Sequence, residues 1–240
     1  MKKILVLLLL AATTLGAQAK LGYSRTMLNY SPLYLSSNAA GAETQTLYGG
    51  EISYTLGIKT YKSLFLEVGG AIQINGAVNG QFFQDLTSSS TTFGQLGDDF
   101  KNMGTIMCRL NIPVNLTYRF QFAKIFALSP YAGLNFGFNL YDYINGAQIG
   151  SVFGSSGDTL TDPYGLNYVY SANRFQMGWQ VGVNFSVIGI TVGIGYRGDF
   201  TSFDERSYVP AHSALAQALY GTDDVKRKTG SLVIGIGYGF

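Results

Sequence analysis

Ser231-Leu232-Val233-Ile234-Gly235-Ile236-Gly237-Tyr238-Gly239-Phe240 closes the chain. Side chains of an extended strand alternate with period two. Leu232, Ile234, Ile236, Tyr238 and Phe240 therefore share one face, while Ser231, Val233, Gly235, Gly237 and Gly239 share the other. The first face is apolar from end to end and finishes in two aromatics; the second is mostly small. Such a strand needs an apolar cover. Lipid supplies one, with Tyr238 and Phe240 at the headgroup level.

The same alternation recurs upstream. Residues 46–59, 64–75, 105–120, 128–143, 174–187 and 190–200 each read as a strand with one apolar and one polar or small face. The clearest is 174–187, where Phe175, Met177, Trp179, Val181, Val183 and Phe185 oppose Gln176, Gly178, Gln180, Gly182, Asn184 and Ser186. Residues 21–30 form a first strand whose register stays open because Arg25 interrupts it. Pro113 has no N–H to give a ladder, so a bulge or local break is expected there. The total is eight strands.

The connections alternate. Residues 31–45, 76–102, 144–172 and 201–228 are long and polar, with a short helix expected over 210–220. Those near 60–63, 121–126 and 188–189 are short. Outer-membrane barrels have long external loops and short periplasmic turns, and an even strand number brings both termini to one side. The expected fold is an all-β, eight-stranded antiparallel transmembrane up-and-down barrel with four long external loops, occupying residues 20–240.

Composition agrees. Of 240 residues, 47% are hydrophobic and only 12% charged, about half the roughly 25% of soluble domains. Gly numbers 31 and Tyr 17. After the first residues no apolar run approaches the roughly 20 that a helical span requires. A net charge of +2 argues against a nucleic-acid footprint. The single Cys108 has neither a disulfide partner nor metal-ligand companions, and no cofactor or metal is expected.

The polar face settles which way the barrel is turned. It carries Gly, Asn, Gln, Ser and Thr with few charges, which makes a poor soluble exterior and a good lumen. The competing arrangement is a soluble lipocalin-like barrel with its apolar face inward. In the membrane arrangement Glu51, Glu67, Arg109, Arg197 and Asp199 point inward and should pair. Gly193, Gly195, Gly235, Gly237 and Gly239 line one wall and leave room for Arg109, Arg119, Arg197, Tyr131 and Phe65. A narrow barrel favours a packed polar plug; a gate or ion path is the alternative.

Residues 1–19 read as a cleaved export signal. Lys2 and Lys3 precede an apolar run from Ile4 to Ala12, and Ala17-Gln18-Ala19 supplies a cleavage pattern. A short N-terminal membrane anchor is the other reading.

With these parts in place, the tail resembles the C-terminal assembly signal of bacterial outer-membrane barrels. Gly235, Tyr238 and Phe240 match it; Val233 stands where the family carries a polar residue. The whole chain resembles small OmpA/OmpX-like, porin-like outer-membrane barrels, and its Gly- and Tyr-rich strands look most like the Bacteroidetes outer-membrane β-barrel domain family. That resemblance implies an outer-membrane location, insertion by the barrel assembly machinery, contact with outer-membrane lipids and a surface or envelope partner met through the loops. Asp158-Thr159-Leu160 fits the O-glycosylation pattern of that phylum, at Thr159.

Three functions compete. The favoured one is a non-enzymatic anchor presenting loops for binding or envelope maintenance. The second is a small porin or transporter for small or hydrophobic solutes. The third is an outer-membrane lipid hydrolase using His212 and Ser213 with Asp204 or Glu205. That set lies beyond the expected strands, and no other catalytic motif is present, so no catalytic residue is assigned.

Overall fold

The computed structural model describes residues 21–77, 105–122, 125–144, 147–151, 159–161 and 164–239. Its strands are β1 (Leu21–Tyr30), β2 (Leu33–Ser37), β3 (Gln45–Tyr61), β4 (Leu64–Ala77), β5 (Thr105–Tyr118), β6 (Phe120–Phe122) and β7 (Phe126–Ile144). Then follow β8 (Ala147–Ser151), β9 (Thr159–Thr161), β10 (Asn167–Ala172), β11 (Phe175–Val187), β12 (Ile190–Asp199) and β13 (Asp204–Tyr208). Helix α1 (Ser213–Tyr220) precedes β14 (Asp224–Gly239).

Eight of these strands close a barrel. The order is β1-β3-β4-β5-β7-β11-β12-β14, and β14 returns to β1 in antiparallel register from Arg25↔Gly239 to Tyr30↔Ile234. Closure leaves no edge in the wall, so every strand finds its hydrogen bonds within the sheet. All pairings are antiparallel between neighbours, as in an up-and-down barrel.

Three short turns join the strands at one end, beside Leu21 and Gly239. The β11–β12 turn is Ile188-Gly189, with φ of 49° and 86° at the two residues. Two positive φ values define a type I′ turn, whose twist matches the flanking strands. Lys62 (φ 46°) occupies the β3–β4 turn. In the third, β6 pairs back on β7 from Phe120↔Leu128 to Phe122↔Phe126.

The opposite end is more ordered than the sequence suggested. The stretch read as a 31–45 loop contains β2, which continues the line of β1 and pairs with both β14 and β3. The 144–172 stretch contains β8, β9 and β10, and the 201–228 stretch contains β13, α1 and the first turns of ladder in β14. Leu33 and Leu35 alternate inward, so a five-residue strand hides within a segment whose overall composition is polar. The expected helix is present. It ends at Gly221 (φ 73°), whose N–H donates to the Gln217 carbonyl at 2.9 Å. Much of the 76–102 loop, and residues 1–19 read as an export signal, lie outside the described residues.

Of the bulge or local break expected at Pro113, the structure shows the break. The β4–β5 register is the same on both sides of it, but the ladder carries no pair between Val68↔Val114 and Ala71↔Asn111. The missing donor opens a gap and leaves the alignment intact. The register shift in β5 against β7 falls instead between Cys108 and Arg109.

Candidate functional site: a charged lumen under an external cap

The barrel is apolar outside and polar inside. Along β12, Ile190, Val192, Ile194 and Tyr196 are exposed while Thr191, Arg197 and Asp199 are buried. Along β11, Phe175, Met177, Trp179 and Val181 are exposed while Gln176 and Gln180 are buried. Tyr238 faces out at the turn end, as the tail reading requires, while Gly235 faces in against Asn29. Phe240 lies outside the described residues. An interior this polar cannot be a soluble core, and the large apolar side chains exposed on every wall strand (Leu28, Ile52, Ile72, Leu116, Leu134, Phe175, Val192 and Ile236 among them) demand lipid.

Among the described residues, three ion pairs lie in the lumen. Nearest the loop end, Arg109 Nη2 lies 2.8 Å from Asp199 Oδ2, and Thr229 hydrogen-bonds the same carboxylate. In the middle, Arg197 grips Glu51 with both terminal nitrogens, at 2.6 and 3.2 Å. Asn29 and Asn111 donate to Glu51 as well, at 3.1 and 3.2 Å. Nearest the turn end, Arg25 Nη2 lies 3.1 Å from Glu67 Oε1, and the Tyr23 hydroxyl donates to that oxygen. Each buried carboxylate thus keeps several donors, which burial of a charge requires.

Amides stitch the pairs together. Asn111 Nδ2 donates to Gln73 Oε1 at 3.0 Å and Asn135 Nδ2 donates to Asn111 Oδ1 at 3.1 Å. Gln73 and Asn75 both donate to the Ser31 carbonyl, at the break between β1 and β2. Small residues make the space: Gly137 lies under the Arg109 guanidinium, Gly195 under the Tyr131 hydroxyl, and Gly237 against Met27.

Glu51, Glu67, Arg109, Arg197 and Asp199 each lie in an ion pair inside the barrel. Arg119 does not. It is half-buried at the turn end, its guanidinium over the Tyr23 ring at 4.7 Å, beside a cavity of about 210 Å³. Arg119 sits one residue past β5, where the chain breaks before β6, so it reaches the mouth of the lumen rather than its middle. Glu67 pairs instead with Arg25, a residue the sequence reading did not place in the lumen. The signal for Arg25 was present as Tyr23, Arg25, Met27 and Asn29 on alternate positions, but the opposing face starts with Gly22, Ser24 and Thr26 and looks too polar for lipid.

Above the ion pairs lies an apolar cluster. Leu33 and Leu35 of β2, Leu47 of β3, Met107 of β5 and Phe203 pack into one cluster, each at most 2% exposed. The Arg227 guanidinium sits over the Phe203 ring at 5.9 Å and pairs with buried Asp204. Outside it a second cluster joins Leu166, Tyr168, Tyr208, Ala216 and Val225, seating α1 on the extended ladder of β13 and β14.

The residues of the hydrolase reading lie on this cap, each bonded to a neighbour outside the set. His212 Nδ1 accepts the Asn167 N–H at 2.7 Å, and Ser213 Oγ donates to the Pro210 carbonyl at 3.2 Å. Asp204 pairs with Arg227 and Glu205 with Lys226. Thr159 begins β9, also on the cap side; Asp158 lies outside the described residues.

A closed wall, a lipid-facing exterior and a polar filled interior define the class: a small membrane-spanning β-barrel of the outer-membrane type, located in the outer membrane. No protein-family profile and no curated protein matches the chain. Among solved structures it is similar to Ail, the attachment invasion locus protein of Yersinia pestis, at 12% identity over 92% of this chain and 100% of that one, with a TM-score of 0.44. It is also similar to Neisserial surface protein A, at 12% identity over 91% and 99% of the two chains, with a TM-score of 0.41. A third is the outer membrane protein OprG of Pseudomonas aeruginosa, at 12% identity over 93% and 98%, with a TM-score of 0.41.

Proposed function

We propose that the protein is a non-enzymatic outer-membrane anchor whose wall is structural and whose external cap meets a partner in surface binding or envelope maintenance. The observation that carries this reading is the filling of the barrel by three ion pairs in series beneath an apolar cluster of Leu33, Leu35, Leu47, Met107 and Phe203. A solute path would have to part both. The cap has its own packed core, as a presented binding surface needs.

Insertion by the assembly machinery through the Gly235, Tyr238 and Phe240 tail, affiliation with the Bacteroidetes barrels and glycosylation at Thr159 belong to the same proposal. Their support is the sequence patterns themselves.

Planar-bilayer recording tests the anchor reading. The intact protein is expected to give no discrete openings. Openings from the unmodified protein that vanish when Arg109 and Glu67 are altered would establish the pore reading instead.

A further inference from the structure

The cap holds a second cavity, of about 400 Å³, outside the apolar cluster. That size lies within the roughly 300–1,000 Å³ of small-molecule sites. Its floor is the face of the β13–β14 ladder that carries Arg206, Tyr208, Val225 and Arg227, with Arg206 directly opposite Val225. One wall is the turn after β2, from Ala39 to Glu43; the other is Leu219 and Tyr220 at the end of α1, with Tyr164 beside them.

The walls are fixed to each other and to the floor. The Ala40 N–H donates to the Tyr220 carbonyl at 2.9 Å, and the Asn38 N–H to the Lys226 carbonyl at 3.1 Å. Tyr220 stacks on Tyr208 at 5.6 Å between centroids, and Tyr164 meets Tyr220 edge-on at 6.3 Å. The cavity is therefore a formed feature of the cap rather than slack between loops.

Its charges do not balance. Arg227 is matched by Asp204, and Glu205, on the opposite face of β13, by Lys226. The Arg206 side chain has no anionic partner and no hydrogen bond among the described residues. Its Nε is enclosed without an acceptor, and its guanidinium lies over the Tyr168 ring at 5.4 Å. A guanidinium presents five donors in a planar fork, and leaving an enclosed donor unmatched is costly. The acidic side chain among the lining residues is Glu43, exposed and screened by water.

Resting on the reading of the cap as the working surface, we propose that this cavity binds a small organic anion. Its carboxylate or phosphate is held by the Arg206 fork, and its ring-bearing body lies against Tyr208 and Tyr220. Aromatic walls around one directed charge are the arrangement that orients such a ligand.

The test uses the full chain in lipid nanodiscs and titration calorimetry with benzoate and glucuronate, against their neutral counterparts benzyl alcohol and glucose. At least one anion is expected to bind saturably with Kd at or below about 1 mM. Its neutral counterpart should bind at least about tenfold more weakly. Which anion binds tells an aromatic body from a sugar body. Arg206→Gln should weaken binding at least about tenfold, and Glu43→Gln should tighten it, a gain that misfolding cannot produce. Absence of saturable binding by either anion, or equal binding to Arg206→Gln, would overturn the assignment. Such a result in a protein that still gives no openings in planar bilayers removes the ligand and leaves the anchor reading standing; openings remove the anchor reading whatever the cavity binds.

Discussion

Arg197 and Glu51 meet across the lumen, 146 residues apart in sequence and three strands apart around the barrel, with Nη1 to Oε2 at 2.6 Å and Nη2 to Oε1 at 3.2 Å. Neither is solvated to any extent: Glu51 is 2% exposed and Arg197 7%. The pair acts as a crossbar joining β12 to β3. Truncating one partner strands the other's charge in the lumen, which costs about 3–5 kcal/mol. Arg197→Met and Glu51→Gln should each destabilise by that order in urea unfolding of bilayer-inserted protein. The double variant should cost clearly less than the sum of the two, since no orphan charge remains.

Gly137 has a different dependence on the same lumen. A Cβ there would strike the Arg109 guanidinium, which cannot swing away without leaving Asp199 and Thr229. Gly137→Ala should destabilise by about 1–3 kcal/mol through overpacking. In an Arg109→Gln background, where the colliding atoms are absent, the same substitution should cost much less. Equal costs in both backgrounds would show that Arg109 is not what fixes the size of residue 137.

The wall was legible in the sequence and, apart from its helix, the cap was not, for one physical reason. A wall strand separates lipid from lumen, so its two faces differ sharply and period two stands out, as in Phe175 to Val187. On the cap both faces meet protein or water. Leu33 and Leu35 in β2, or Tyr168 and Tyr208 across β10 and β13, are too few and too widely spaced to register as a pattern. Charges followed the same division. Glu51, Glu67, Arg109, Arg197 and Asp199 were found because they interrupt the polar side of clean strands; Arg25 was missed because β1 has a weak apolar side at its turn end.

Ile188 carries a cost that a single substitution removes. It is a β-branched residue at φ 49° in a two-residue turn, where Asn is favoured and a branched Cβ is crowded. Its N–H donates to the Ile125 carbonyl, a bond that any residue except proline keeps. Ile188→Asn should therefore stabilise the β11–β12 hairpin by about 1 kcal/mol. The measurement is the urea midpoint in detergent micelles, where a fall rather than a rise would mean that the exposed side chain is held by contacts stronger than the backbone strain.

The apolar exterior yields a depth series on one strand. Ile190 opens β12 beside the turn, and Ile194 lies near its centre, both more than half exposed. If lipid covers this face, the cost of a charge must rise with distance from the interface. Ile194→Arg should cost about 2–4 kcal/mol and Ile190→Arg no more than about 1 kcal/mol, read from unfolding in phospholipid vesicles. The lumen face of β12 gives the control: Thr191, next to Ile190 and buried, shares a 2.8 Å hydroxyl contact with Ser186 and faces the turn-end cavity rather than acyl chains. Thr191→Val should cost about 1 kcal/mol, the scale of a lost hydrogen bond, with no dependence on lipid chain length. A flat response along Ile190 and Ile194 would mean that water, or another chain, covers this face.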